Sequence, residues 1–210
     1  MNEWATAEHA LAYLERADRI PRRAEGMAEL VALLPGRVTR VLDLGTGDGR
    51  LLAFVLDAFP GASGVAADFS ATMLAVVRER FVRDPRVEVV EHDLDDPLPD
   101  LGRFDAVVSS FAIHHCSHER KRALYAEVFE ALVPGGVFAN LEHVSSPTPA
   151  LHERFMAAIG TDAADEDPSN QLLDVEAQLR WLRQIGFADV DCHWKWLELA
   201  LLAGVRPPAQ

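Results

Sequence analysis

The run Val41-Leu42-Asp43-Leu44-Gly45-Thr46-Gly47-Asp48-Gly49-Arg50 decides how this chain is read. An aliphatic stretch ends in glycines and a helical pattern begins directly after it, so a buried strand feeds a tight turn that opens a helix. Gly45, Gly47 and Gly49 let the backbone approach a ligand with no side chain in between. A dinucleotide fingerprint would place its third glycine three residues after the second, where Arg50 stands, so that pattern fails. Asp48 sharpens the choice. It sits where a pyrophosphate would rest on the helix start, and a carboxylate there repels phosphate while tolerating a phosphate-free ligand with cationic groups.

Helix and strand signals alternate outward from this loop. Val38, Val41, Leu42 and Leu44 mark the first strand, and further strands are predicted over 62–67, 87–91, 104–109 and 136–141. Helices are predicted over 51–59, 71–81 and 119–132, and a last one over 175–185 ends at Gly186. Strands over 188–193 and 196–202 close the chain. Such alternation folds as an α/β, doubly wound and mostly parallel sheet, here of seven strands, because each right-handed crossover needs a helix to bring the chain back. Ahead of it, Leu11, Leu14, Met27, Leu30, Val31 and Leu34 fall at helical spacing with Pro21 between, which predicts two helices as a cap over residues 1–36 on a main domain of 37–210. The segment 145–172, with Pro147, Pro149, Pro168 and the acids Asp162, Asp165, Glu166 and Asp167, breaks the alternation and is read as a lid insertion.

The 210 residues carry 20 Lys+Arg against 33 Asp+Glu, a net charge of −13, with 49% hydrophobic residues and two cysteines. Disorder and a disulfide scaffold are excluded. A chain of this length buries roughly 70% of its unfolded surface, so folding needs no metal. The negative field argues against nucleic acid, since the basic runs at 19–23 and 120–122 are short. The longest late apolar stretch, 194–205, contains Lys195 and Glu198 and is too short for a bilayer span. With no signal-peptide pattern and two widely separated cysteines, the expectation is a cytoplasmic protein without a membrane anchor.

From Val38 onward the chain resembles the class I S-adenosylmethionine-dependent methyltransferases, with the glycine loop as the strongest element. The resemblance implies that Asp43, Gly45, Thr46 and Gly47 line S-adenosylmethionine, with Gly49 keeping the turn tight. It also implies that Asp68 in VAADFS binds the two ribose hydroxyls, with Phe69 packing on the adenine. Asp93 and Leu94 map onto the adenine edge, and Ser109, Ser110 and Phe111, at the mouth of the sheet, onto the surroundings of the sulfonium.

The segment SSFAIHH resembles small-molecule methyltransferases of the quinone, polyketide and aconitate types, and also the wobble-uridine enzymes that use a carboxylated cofactor. An adenine or glutamine nitrogen methylase motif is absent from it. His114 and His115 are the candidate bases, because imidazole titrates near the working pH. Glu142 and His143 on the fifth strand's rim, together with Trp4, Tyr13, Phe155 and Met156 from the two roofing segments, are candidate acceptor contacts. Histidine and acid spacing matches no strong ligand pattern, so no metal is expected. The acceptor expected is a small molecule. The alternatives are a tRNA methyl or carboxymethyl transferase and a catalytically silent regulatory protein; the oligomeric state is left open.

Overall fold

The computed structural model describes residues 20–161 and 166–208. Trp4 and Tyr13 therefore lie outside the described residues, as do Asp162 and Asp165. Seven strands form one sheet: β1 (Arg40–Leu44), β2 (Ser63–Asp68), β3 (Val87–Glu91), β4 (Phe104–Ser110), β5 (Leu132–His143), β6 (Ala188–Trp196) and β7 (Leu199–Val205). The order is β3-β2-β1-β4-β5-β7-β6, with β1 to β5 parallel and β7 antiparallel to both β5 and β6. The order reverses between β1 and β4, and at such a switch point crossovers leave in opposite directions and open a crevice at the strands' carboxyl ends.

Among the described residues six α-helices cover the sheet: α1 (Arg23–Leu33), α2 (Arg50–Ala58), α3 (Ala71–Arg80), α4 (His118–Ala131), α5 (Pro149–Ile159) and α6 (Val175–Ile185), and a 3-10 turn spans Ile113–His115. Strand alternation divides the core. Val41, Ala66, Val108 and Ala139 pack with Leu30 of α1, Val55 of α2, Val77 of α3 and Phe155 of α5. Leu42, Leu44, Val65 and Val107 pack on the other face with Leu124 and Val128 of α4 and Leu182 of α6. Both faces are covered, which is why the central strands read as continuous apolar runs.

Three elements differ from the sequence reading. Within 145–172 lies the helix α5, capped by Thr148 with Pro149 in its first turn and ended by Gly160 at φ 69°. Its start and stop signals are ordinary ones. The closing hairpin turns at Leu197 and Glu198, so β6 runs on through Trp196. The apolar run hid that turn, because Glu198 is fully buried and takes its partners from distant histidines. On the amino-terminal side, Met27 and Leu30 of α1 share the core of Val41, and a Cβ on Gly26 would come within 2.8 Å of Leu141. From α1 onward the chain is thus one packed body with the sheet.

Candidate active site

The glycine loop leaves β1 with Gly45 and Gly47 at φ +64° and +57°, where an L side chain is strained. A Cβ on Gly45 would sit 2.2 Å from the Cβ of Ala112, so this glycine lets the loops after β1 and β4 touch. Gly47 meets nothing within 4 Å and borders open cleft. Gly49 caps α2 and packs close to Phe81. Thr46 ties the loop down, its amide donating to the Ala67 carbonyl at 3.0 Å and its hydroxyl to Asp43 Oδ2 at 2.6 Å. Asp43 is 1% exposed and lies beneath the loop, outside the cleft lining. Burial raises its carboxyl to about 7 against the Thr46 hydrogen bond.

Asp68 ends β2 inside the cleft. Its Oδ2 accepts from the Gly47 amide and its Oδ1 from the Ser70 amide, each at 2.9 Å, which leaves acceptor capacity on both oxygens. Burial pushes its carboxyl up. Phe69, Asp93 and Leu94 line the same cleft, which encloses about 810 Å³ with its mouth included. Asp93 also accepts the Asp95 amide at 3.0 Å, so it shapes the turn that presents Leu94. Asp48 lines the cleft as well, but its carboxylate is gripped by Arg50 and Arg80, each at 2.9 Å. Those guanidiniums hold it below the usual carboxylate range and compensate its charge, so phosphate repulsion from Asp48 is weaker than its sequence position suggests.

At the end of β4, neighbouring residues part ways. Ser109 is fully buried and donates to the Leu44 carbonyl at 2.8 Å, stapling β4 to β1 outside the cleft. Ser110 and Phe111 line the cleft, and the Ser110 hydroxyl is buried there with no hydrogen-bond partner among the described residues. Phe111 stands at φ 54° with its amide on the Leu141 carbonyl at 2.8 Å. Its ring lies under the buried guanidinium of Arg23, 5.4 Å from the centroid.

The two candidate bases also separate. His114 is buried away from the cleft, with Nδ1 2.8 Å from Glu142 Oε1. Burial holds its imidazole well below the ordinary value and pushes the Glu142 carboxyl up. His115 lines the cleft, with Nδ1 2.9 Å from Ser169 Oγ. Ser169 Oγ donates to Asp167 Oδ1 at 2.7 Å. A hydroxyl has one proton, so His115 must donate Nδ1–H to Ser169, and in the neutral ring Nε2 then carries the lone pair. Burial and His114 lower the His115 imidazole to about 3.

The described acceptor candidates lie elsewhere. Glu142 is fully buried, and His143 Nε2 is 3.0 Å from Glu198 Oε2. Phe155 packs on His143 and Trp196 at 5.1 and 6.3 Å between ring centroids, and Met156 shares that core. None of the four lines the cleft: Glu142 and His143 belong to β5, and Phe155 and Met156 of α5 are buried in the core.

Known proteins supply the remaining observation. A methyltransferase-domain family signature matches residues 41–136. A demethylmenaquinone methyltransferase from Clavibacter sepedonicus is 34% identical over 193 residues, 84% of this chain and 77% of that one. The chain belongs to the class I S-adenosylmethionine-dependent methyltransferases. A trans-aconitate 2-methyltransferase from Variovorax paradoxus is 31% identical over 170 residues, covering 80% of this methyltransferase and 56% of that relative. An O-methyltransferase family structure from Burkholderia thailandensis superposes with a TM-score of 0.76 at 24% identity, covering 99% of this chain and 62% of that one. It confirms the fold.

The cofactor of this methyltransferase is S-adenosylmethionine, and the cleft suits it. The open face of Gly47, the acceptor capacity on Asp68 and the orphaned Ser110 hydroxyl are polar places that a nucleoside with an amino-acid tail can fill. Sequence reasoning missed Arg23, Met73, His92 and Cys116 on the cleft wall. Arg23 was visible only as part of a short basic run, and nothing in the spacing brings α1 to the end of β4. Among the described residues no group of three His, Cys, Asp or Glu side chains is arranged to hold a metal ion, and no helix is long and apolar enough to cross a membrane.

Proposed function

We propose that this methyltransferase acts on a small-molecule acceptor that ionises readily, such as an acidic hydroxyquinone or a carboxylic acid. The observation that carries the reading is His115 in the same cleft as Asp68, with its Nδ1 2.9 Å from Ser169 Oγ and that hydroxyl 2.7 Å from Asp167. Bound S-adenosylmethionine supplies a methyl carbon already activated by its sulfonium. Asp68 receives the ribose hydroxyls, Asp93 and Leu94 the adenine edge, and Arg23 offers a cation for the cofactor's carboxylate. Phe111 and the Arg23 guanidinium above it keep water from the sulfonium end.

His115 then aligns the acceptor. Storing a proton at neutral pH on an imidazole held at about 3 costs several kcal/mol, so His115 accepts a hydrogen bond and orients the nucleophile more than it removes a strongly held proton. Alignment is the larger part of an in-line methyl transfer. An acceptor that already bears negative charge needs no strong base, and the carboxylic acid aconitate, named for one of the relatives, is of that kind. A nucleic-acid acceptor suits the site less well, because Asp68, Asp93 and Asp95 line the cleft of a chain with net charge −13.

The test is turnover with S-adenosylmethionine across a panel of demethylmenaquinol, trans-aconitate and unactivated alcohols, read as S-adenosylhomocysteine and methylated product. Ionised acceptors should turn over, with rate following the acceptor's own ionisation. His115→Ala should lower kcat roughly 100-fold with little change in cofactor affinity. Methylation confined to unactivated alcohols, with a bell-shaped profile near neutral pH, would overturn the reading.

A further inference from the structure

Lys121, on α4, has a fully buried side chain with no carboxylate in salt-bridge contact among the described residues. Its three ammonium protons instead meet three backbone carbonyls: His114 at 3.1 Å, Cys116 at 2.7 Å, and Gln171. An ammonium has three donors, so the set is complete. The first two carbonyls flank His115 in sequence. The third follows Ser169, the partner of the His115 ring, by two residues, and the Gln171 amide also donates to the His114 carbonyl at 2.9 Å. Removing a cation from water is costly even when it is well solvated by carbonyls, and burial lowers the Lys121 amine accordingly, with Glu142 as the main opposing charge. An apolar side chain of similar length would fill this core without that cost, but it would tie nothing together.

We propose that Lys121 is a positioning residue that fixes His115 at the cleft wall by pinning the Ile113–Cys116 turn to the segment carrying Ser169. This rests on the reading of His115 as the residue that aligns the acceptor. The ammonium supplies three donors on one atom, enough for all three carbonyls of the two stretches of chain, where a neutral amide offers two. Cofactor affinity is largely independent of the clamp, since Lys121 does not line the cleft.

The experiment uses the full chain labelled with ¹⁵N-histidine, with S-adenosylhomocysteine as the probe ligand, and compares wild type with Lys121→Met, Lys121→Gln and Lys121→Arg. In the wild type His115 should be the Nδ1–H tautomer. Lys121→Met should convert it to a mixture and speed exchange of the Gln171 amide about tenfold or more, while affinity for the probe stays within about threefold. Lys121→Arg, which keeps a cation, should return part of the wild-type tautomer signal. Lys121→Gln gives the same readout should the methionine variant not fold. A folded Met or Gln variant with the wild-type His115 tautomer and wild-type Gln171 exchange overturns the proposal, and so does an equal change at all eight histidines. Tautomer and exchange report the clamp whether or not His115 aids turnover; loss of kcat in His115→Ala reports the catalytic reading alone.

Discussion

The two halves of the cleft are built from different materials. At the ends of β1 and β2, glycines and backbone amides do the shaping: Gly47 and Ser70 donate to Asp68, and Thr46 donates to the carbonyl of Ala67. Behind the ends of β4 and β5, polar side chains outside the cleft lining give the support. Glu142 holds His114, Tyr125 donates to Gln178 at 2.6 Å, Lys121 clamps two stretches of chain, and Glu198 lies 3.0 Å from both His143 and His152. A backbone-built surface suits a ligand shared across a family, since it depends on few side chains. The polar layer behind the ends of β4 and β5 depends on individual side chains instead, so single substitutions can alter it.

Gly45→Val strikes the first half hardest. The new side chain meets Ala112 in a loop at φ +64°, so affinity for S-adenosylhomocysteine should drop more than about 100-fold and the melting temperature should fall with it. Calorimetric titration with near wild-type affinity would remove the close approach from the account. Asp68→Ala should follow at about tenfold or more, the size expected for charge-assisted hydrogen bonds of about 1.5–3 kcal/mol; an unchanged affinity would dissociate Asp68 from the ribose.

pH separates the halves further. Asp43 has its folded-state value raised to about 7, so the native state binds more protons between the unfolded value and 7, and this group's contribution is lost as pH rises through that window. Glu198 is held low by His143, Ser146 and His152, so its contribution is present above the unfolded value and lost as pH falls through the folded one. Urea titrations at several pH values should show Asp43→Asn flattening the neutral-side slope and Glu198→Gln the acid-side slope. Identical slopes in both variants would contradict the assignment. The smallest effect belongs to Ser109→Ala, about 1 kcal/mol of stability from one buried hydrogen bond, with cofactor affinity unchanged; weakened binding there would place Ser109 in the cleft after all.

Much of the fold was legible because strand and helix periods survive in a sheet covered on both faces. The ranges predicted for β3 and α6 coincide with those observed, and α2, α3 and α4 shift by a residue at one or both ends. The misses have physical causes. The turn at Glu198 was disguised because half-buried histidines partner that acid from far away in sequence, and α5 was masked by the prolines and acids on either side of it. In the site, strand parity could have separated Ser109 from Ser110, since successive side chains point to opposite faces. No such rule separates His114 from His115, which sit in a 3-10 turn that Lys121 and Glu142 contact from α4 and β5.

From the one-dimensional chain alone came the glycine turn, the alternating layers and the acid that ends β2, because each depends on neighbours within a few residues. Only packing in three dimensions decided that Asp43 supports the loop from below while Asp68 faces the cleft, that Arg23 reaches Phe111, and that His115 lines the cleft while His114 turns inward. Those outcomes depend on contacts between residues tens of positions apart, where burial and hydrogen-bond partners are fixed by the whole sheet rather than by any local pattern.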